Sequence, residues 1–142
     1  MDEIQHQCLS LIELYGGVEV LDKAEEIFYQ PCYQSVLKEL RLLAVFLQQM
    51  GHGNSITIDL GLLPGFEYYN GLVFQGYLQG VSGAVLRGGQ YDPLAEQFRP
   101  GARAIGFALY LDELDRLSDA AAEPAGLVML NVALPKGRLG DK

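Results

Sequence analysis

SITIDLGLLPGFEYYNGLVFQGYLQGVSGAVLRGGQYD, residues 55–92, is the stretch whose reading decides the fold. Ile56 and Ile58 alternate with Thr57 and Asp59, which gives a strand with one apolar face. A loop at 62–66 leads into Glu67-Tyr68-Tyr69, and Asn70-Gly71 is a strong hairpin-turn pair. Leu72–Leu78 alternates again as the return strand. Val81-Ser82-Gly83 predicts a second turn, Ala84–Leu86 a third short strand, and Gly88-Gly89 a tight bend after it. The sum is an antiparallel meander with a carboxylate, tyrosines and a double glycine at its loops, arranged as the floor of a pocket for a small polar ligand.

Upstream, the pattern is helical. Residues 2–14, with Ile4, Cys8, Leu11, Ile12 and Tyr15 on one stripe, predict a helix that stops at Gly16-Gly17. Residues 18–29 predict a second, with Val20, Leu21, Ala24, Ile27 and Phe28 facing inward. Pro31 separates it from a third at 33–50, whose Val36, Leu37, Leu40, Leu43, Ala44 and Leu47 recur at three and four. Gly51 and Gly53 end that helix. Downstream, Asp92 reads as the cap and Pro93 as the first residue of a short helix through Phe98. Arg103–Leu109 follows as a strand and Tyr110–Leu117 as a helix. SDAAAEPAG, 118–126, has linker composition, and LVMLNVAL after it is strand-like.

Composition narrows the function. The 142 residues carry a net charge of −8, and their ten lysines and arginines do not cluster before the last few positions, which speaks against nucleic acid as a partner. No apolar run reaches membrane-spanning length, so no membrane is expected, and MDEIQHQ does not read as a signal peptide. Cys8 and Cys32 read as free thiols in a reducing, cytoplasmic compartment. With His6 and His52 the only histidines, neither a metal site nor a histidine-based catalytic triad is expected, and no cofactor is called for.

Three segments together resemble the histidyl-tRNA synthetase family. They are Glu67-Tyr68-Tyr69-Asn70-Gly71 with Val73-Phe74, then Arg87-Gly88-Gly89-Gln90-Tyr91-Asp92, then Ile105-Gly106-Phe107-Ala108, which is similar to the start of the third class II signature motif. Leu14–Leu21 shares the family's character. The resemblance covers roughly residues 8–118 and implies an α+β fold, an antiparallel sheet with flanking helices, as in the C-terminal half of a class II aminoacyl-tRNA synthetase-like core. It also implies a histidine-like pocket made of Glu67, Tyr68, Tyr69, Gly88 and Gly89. Read without it, Arg87 is expected to pair with an acidic neighbour.

The departures from that family bear on activity. Where its first segment begins with arginine, this chain has Pro64. Its later glycine in the third motif becomes Tyr110, and its phosphate-binding arginine becomes Glu113. Proline offers no charge to a developing anion, and glutamate repels phosphate; Arg116 lies one helical turn further on. A synthetase-like body without synthetase chemistry resembles the regulatory subunits of ATP phosphoribosyltransferase, the first enzyme of histidine biosynthesis. That resemblance implies a non-catalytic role, a catalytic ATP phosphoribosyltransferase subunit as partner, L-histidine as a ligand, and a homo-oligomer. Residues 129–139, MLNVALPKGRL, are similar to the start of such a catalytic subunit. The expected division is a partial regulatory domain over 1–118, a linker over 119–127, and the start of a catalytic-subunit-like segment over 128–142. An amino-acid-activating enzyme fragment and a stand-alone amino-acid-binding scaffold remain the other readings.

Overall fold

The computed structural model describes residues 3–62, 68–118 and 126–129. Helix α1 spans Glu3–Glu13, α2 Val20–Ile27 and α3 Pro31–Gln49. Their buried positions follow the 3.6-residue period: Val20, Leu21 and Ala24 on α2 meet Leu37, Leu40 and Ala44 on α3. Pro31 opens α3 from its first turn, where a missing backbone N–H costs nothing. Carbonyls left free at the end of α2 are taken up by glutamines, Gln34 Nε2 donating to Glu25 O and Phe28 O at 2.9 and 2.8 Å, and Gln7 Nε2 to Ile27 O at 3.1 Å. On the outer side of the pair, Arg41 of α3 bridges Asp22 (2.7 Å) and Glu25 (3.0 Å) of α2.

Two expectations about the first helix are corrected. Leu11 and Leu14 turn inward, which rotates Ile12 to the outside, where it is 73% exposed. Tyr15 is not helical: Tyr15–Gly16 forms a short strand, β1, antiparallel to β2 at Ile58–Asp59. With Leu60 N–H donating to Leu14 O at 3.0 Å, this clasp closes the helical half and buries Ile58 and Leu60. Glycine ends α3 as expected, Gly51 adopting a φ of 89°.

The main sheet has the order β5-β4-β3-β6, with β3 at Val73–Leu78, β4 at Leu86–Gln90, β5 at Ile105–Leu109 and β6 at Gly126–Met129, all neighbours antiparallel. Strands β3 and β4 fall within the meander that the sequence predicts, and β5 within the strand predicted over Arg103–Leu109; the strand predicted at 56–59 lies outside this sheet and pairs with β1. Helix α4 (Asp92–Glu96) sits between β4 and β5, and α5 (Leu111–Ser118) follows β5. Leu72 and Phe74 pack against the helical core, so one face of the sheet is turned to the helices. On that same face β5, the edge strand, carries Ile105, Phe107 and Leu109, each more than half exposed. No described helix is long and apolar enough to cross a membrane.

The turn predicted at Val81-Ser82-Gly83 lies in the connection between β3 and β4, while the other local turn signals are overridden. Asn70-Gly71 does not join two paired strands; the segment crosses to β4 instead, Asn70 N–H donating to Gln90 O at 3.0 Å. The β3–β4 connection is the true hairpin, and Gly80 within it has a φ of 89°. Gly88 and Gly89 are not a bend after a strand but the buried middle of β4. A Cβ on Gly88 would meet Phe74 Cζ at 2.5 Å and Phe107 Cβ at 2.7 Å; one on Gly89 would meet Tyr69 Cδ1 at 2.6 Å. Both faces of β4 are packed too closely for any side chain there.

That packing has a measurable consequence. Gly88→Ala is expected to destabilise the chain by about 1–3 kcal/mol through overpacking, and Leu37→Ala by about 2–5 kcal/mol through the cavity left at a fully buried position. Urea denaturation followed by circular dichroism checks both, and a Gly88→Ala midpoint equal to that of the parent chain would contradict the packing described.

Candidate functional site

Alternation along β4 separates its residues by face. Arg87, Gly89 and Tyr91 point away from the helices, while Gly88 faces Phe74 and Phe107 on the helix side. Of the residues expected to form the pocket, the structure therefore gathers Tyr68, Tyr69 and Gly89 on one face and places Gly88 on the other. Glu67 and Pro64 lie outside the described residues.

On the gathered face the two central glycines of β4 and β5, Gly89 and Gly106, are register partners and form a floor without side chains. Tyr69 lies over Gly89, and Tyr91 lies over Gly106, whose Cβ would stand 3.0 Å from the Tyr91 hydroxyl. Tyr68 completes the group, 4.6 Å from Tyr69 and 6.2 Å from Tyr91 between ring centroids, the latter edge to face. Burial first, and then a hydrogen bond with Tyr68, push the Tyr69 phenol up from 10.0 to about 12. Tyr91 was legible in the sequence, two residues after Gly89 and so on the same face of a strand; reading Gly88-Gly89 as a bend hides it.

At the other end of this face Arg87 stands over the Tyr110 ring, 5.7 Å from its centroid. Arg87 thus meets a ring rather than the carboxylate expected for it. Glu113 lines up with Arg116, its two oxygens 3.2 and 3.0 Å from Arg116 Nη1, and Gly83 comes close beside the same carboxylate. The cation one turn beyond Glu113 is thereby occupied within the chain.

Asp92 holds the rim together. It is the first residue of α4, not its cap: its Oδ1 accepts from Ala104 N–H at 2.9 Å, while its Oδ2 accepts from Gln90 Nε2 at 2.6 Å and lies 3.4 Å from Arg103 Nε. Its own N–H donates to Asn70 Oδ1 at 3.0 Å. Four separate segments (the approach to β3, the end of β4, α4 and the approach to β5) meet on one residue. The Ala104 N–H, with Gln90 and Arg103 behind it, holds the Asp92 carboxyl below its ordinary 3.8. Sequence reasoning favours the local cap because the true partner lies twelve residues away.

Two titrations test this geometry. Ultraviolet absorbance should show one of the eight tyrosines ionising at about 12, a step missing from Tyr69→Phe. The folded value exceeds the ordinary one, so the folded chain keeps a proton that the unfolded chain releases. Stability is untouched below pH 10 and falls as pH rises from there through the folded value. Asp92 has the opposite sign. Its contribution is present above the ordinary carboxylate value and is lost as pH falls through the depressed one. Asp92→Asn should therefore be less stable than the parent at neutral pH, the gap narrowing in urea titrations as pH falls below the ordinary 3.8.

Comparison with known proteins gives the family. The family model described as histidyl-tRNA synthetase matches residues 1–114. A protein of Syntrophotalea carbinolica described as an ATP phosphoribosyltransferase regulatory subunit is 38% identical over 129 residues, which cover 87% of this chain and 30% of that protein. Similarly described proteins of Clostridium acetobutylicum and Desulforamulus reducens are 39% and 37% identical, over 75% and 90% of this chain and 26% and 33% of their own lengths. A crystal structure from Bacillus halodurans, described as an ATP phosphoribosyltransferase regulatory subunit/histidyl-tRNA synthetase, superposes with a TM-score of 0.73 at 28% identity, covering 79% of this chain and 30% of that one. The chain thus spans about a third or less of the relatives it matches. By the family match across residues 1–114, and by the sheet that carries its three motifs, this chain belongs to the histidyl-tRNA synthetase family.

Proposed function

We propose that the chain is part of a regulatory subunit of ATP phosphoribosyltransferase, the enzyme of the first step of histidine biosynthesis, and performs no catalysis itself. The observation that carries this reading is the similarity, at 37–39% identity, to three proteins described as such regulatory subunits. In this reading Tyr68, Tyr69 and Gly89, with Glu67, belong to a pocket that takes L-histidine, and Gly88, on the opposite face, does not line it. Its partner is the catalytic subunit, the working form is a homo-oligomer, and the setting is the cytoplasm. Residues 1–118 are the regulatory part, 119–127 a linker, and 128–142 the start of a catalytic-subunit-like segment; Gly126–Met129 pairs with β3, and residues 130–142 lie outside those described.

The chemistry at the third motif supports the absence of catalysis. Amino-acid activation moves negative charge onto a phosphate and needs uncompensated cations around it. At the position where the family has a phosphate-binding arginine, this chain has Glu113, and Glu113 takes Arg116 into a neutral pair. Tyr110, in place of the family's glycine, occupies the neighbouring space with Arg87 stacked on it.

The reading is tested by the activity of a short catalytic ATP phosphoribosyltransferase subunit with and without this chain across a histidine titration, after circular dichroism has shown the chain folded. Stimulation that histidine reverses is the expected result. Tyr69→Phe should then raise the histidine midpoint about tenfold, the effect of one lost hydrogen bond of about 1.4 kcal/mol. Histidine-dependent pyrophosphate exchange by the chain alone, without any effect on the catalytic subunit, would replace this reading with an amino-acid-activating enzyme.

A further inference from the structure

We propose that the cleft between α3 and the Asn70–Leu72 segment is a binding site for a small aliphatic ammonium. The cleft has a volume of about 260 Å³ and lies on the helix-facing side of the sheet, away from the tyrosines. It is independent of the function proposed above. Its α3 wall is Val36, Glu39, Leu40 and Leu43, spaced i, i+3, i+4 and i+7, which is one stripe of a helix. Three of those four positions are apolar, as a stripe facing a sheet requires. The fourth is a carboxylate, and among the described residues Glu39 has no ion-pair partner. An acidic group in an otherwise apolar stripe, opening on a cavity, is the arrangement that holds a cation with a hydrocarbon body.

The opposite wall adds a second acceptor. Gln90 has its backbone committed on both sides, accepting from Asn70 N–H at 3.0 Å and donating to Leu72 O at 2.7 Å. Its side-chain nitrogen donates to Asp92, which fixes the amide orientation and leaves Oε1 as the free end. That oxygen rests against Gly71, where a Cβ would come within 2.5 Å of it. Glycine at 71 is what allows the Gln90 amide to lie along the cleft. A ligand there meets a full negative charge from Glu39, a carbonyl dipole from Gln90, and hydrocarbon from Val36, Leu43 and Leu72. That set selects a cation over an anion or a neutral molecule. At about 30 Å³ per water-sized group the cleft has room for roughly eight heavy atoms.

The test is a nuclear magnetic resonance titration of the isotopically labelled 142-residue chain with three probes of one shape: cyclohexylammonium, cyclohexanol and cyclohexanecarboxylate. Cyclohexylammonium should shift the backbone amides of Asn70, Gly71 and Leu72 saturably at millimolar concentration and move those of Tyr69 and Tyr91 less. Cyclohexanol should bind at least tenfold more weakly, and the carboxylate should leave these amides unmoved. Glu39→Gln, a substitution at an exposed position that leaves the fold intact, should weaken cyclohexylammonium at least tenfold, and Val36→Phe should abolish the shifts by filling the cleft. Added salt should weaken the ammonium and not the alcohol. Equal response to ammonium and alcohol, no response to either, or undiminished binding by Glu39→Gln would each overturn the assignment.

Discussion

Everything around the sheet's centre depends on two adjacent residues that have no side chains. Gly88 lets Phe74 and Phe107 close over one face of β4, and Gly89 lets Tyr69 close over the other. Backbone freedom is not their use: neither is among the glycines with positive φ, and both sit in regular antiparallel register. Their value is volume. A glycine inside a strand loses entropy and packing on folding. That cost is offset here because aromatic rings from both sides occupy the space a Cβ would take. The helical half and the tyrosine face are thus joined through a wall one backbone thick.

The same fact explains what the sequence could and could not convey. Helices α2 and α3 were legible because their signal is local: apolar residues recur at three and four, Pro31 marks a start, and Gly51 marks an end. The order of the meander was legible from alternation. Gly88-Gly89, Asn70-Gly71 and Asp92 were misread for one reason. Each carries a strong short-range signal (bend, hairpin turn, helix cap) that a long-range contact overrides. Gly88 is explained by Phe107, nineteen positions away in sequence, Asn70 by Gln90, and Asp92 by Ala104. Propensity describes what a dipeptide does alone, whereas the ring or the carboxylate that decides its conformation arrives from another strand. Tyr91 was lost from the site for the same reason, since its face follows only once the glycines are placed within a strand.

The candidate site inherits this construction. Its floor, Gly89 beside Gly106, has nothing that can rotate, and its walls are rings that ride on segments rather than on the sheet itself. Tyr68 and Tyr69 belong to the approach to β3, and Tyr91 to the turn from β4 into α4. Those segments, with the approach to β5, are tied to one another by backbone bonds (Asn70 N–H to Gln90 O, Gln90 N–H to Leu72 O, Tyr91 N–H to Ala104 O) and by the Asp92 bonds. A ligand that shifts one ring therefore cannot press into the sheet, where there is no slack.

A regulator and an enzyme ask different things of such a site. An enzyme needs fixed charge where the transition state develops it; at this end of the face Arg116 is paired with Glu113 and Arg87 lies over the Tyr110 ring. A regulator needs only that the ligand favour one arrangement of a few elements over another, with the coupling felt equally in both directions. Elements suited to that role are ones held by a small number of side-chain bonds to a common point, which can be exchanged together at modest cost. The rim around Asp92 has such side-chain bonds beside its backbone ones, and the glycine floor beneath it has none. Ligand-dependent change in this domain is accordingly expected in the segments that meet at Asp92, while β3, β4 and β5 act as the fixed frame against which they move.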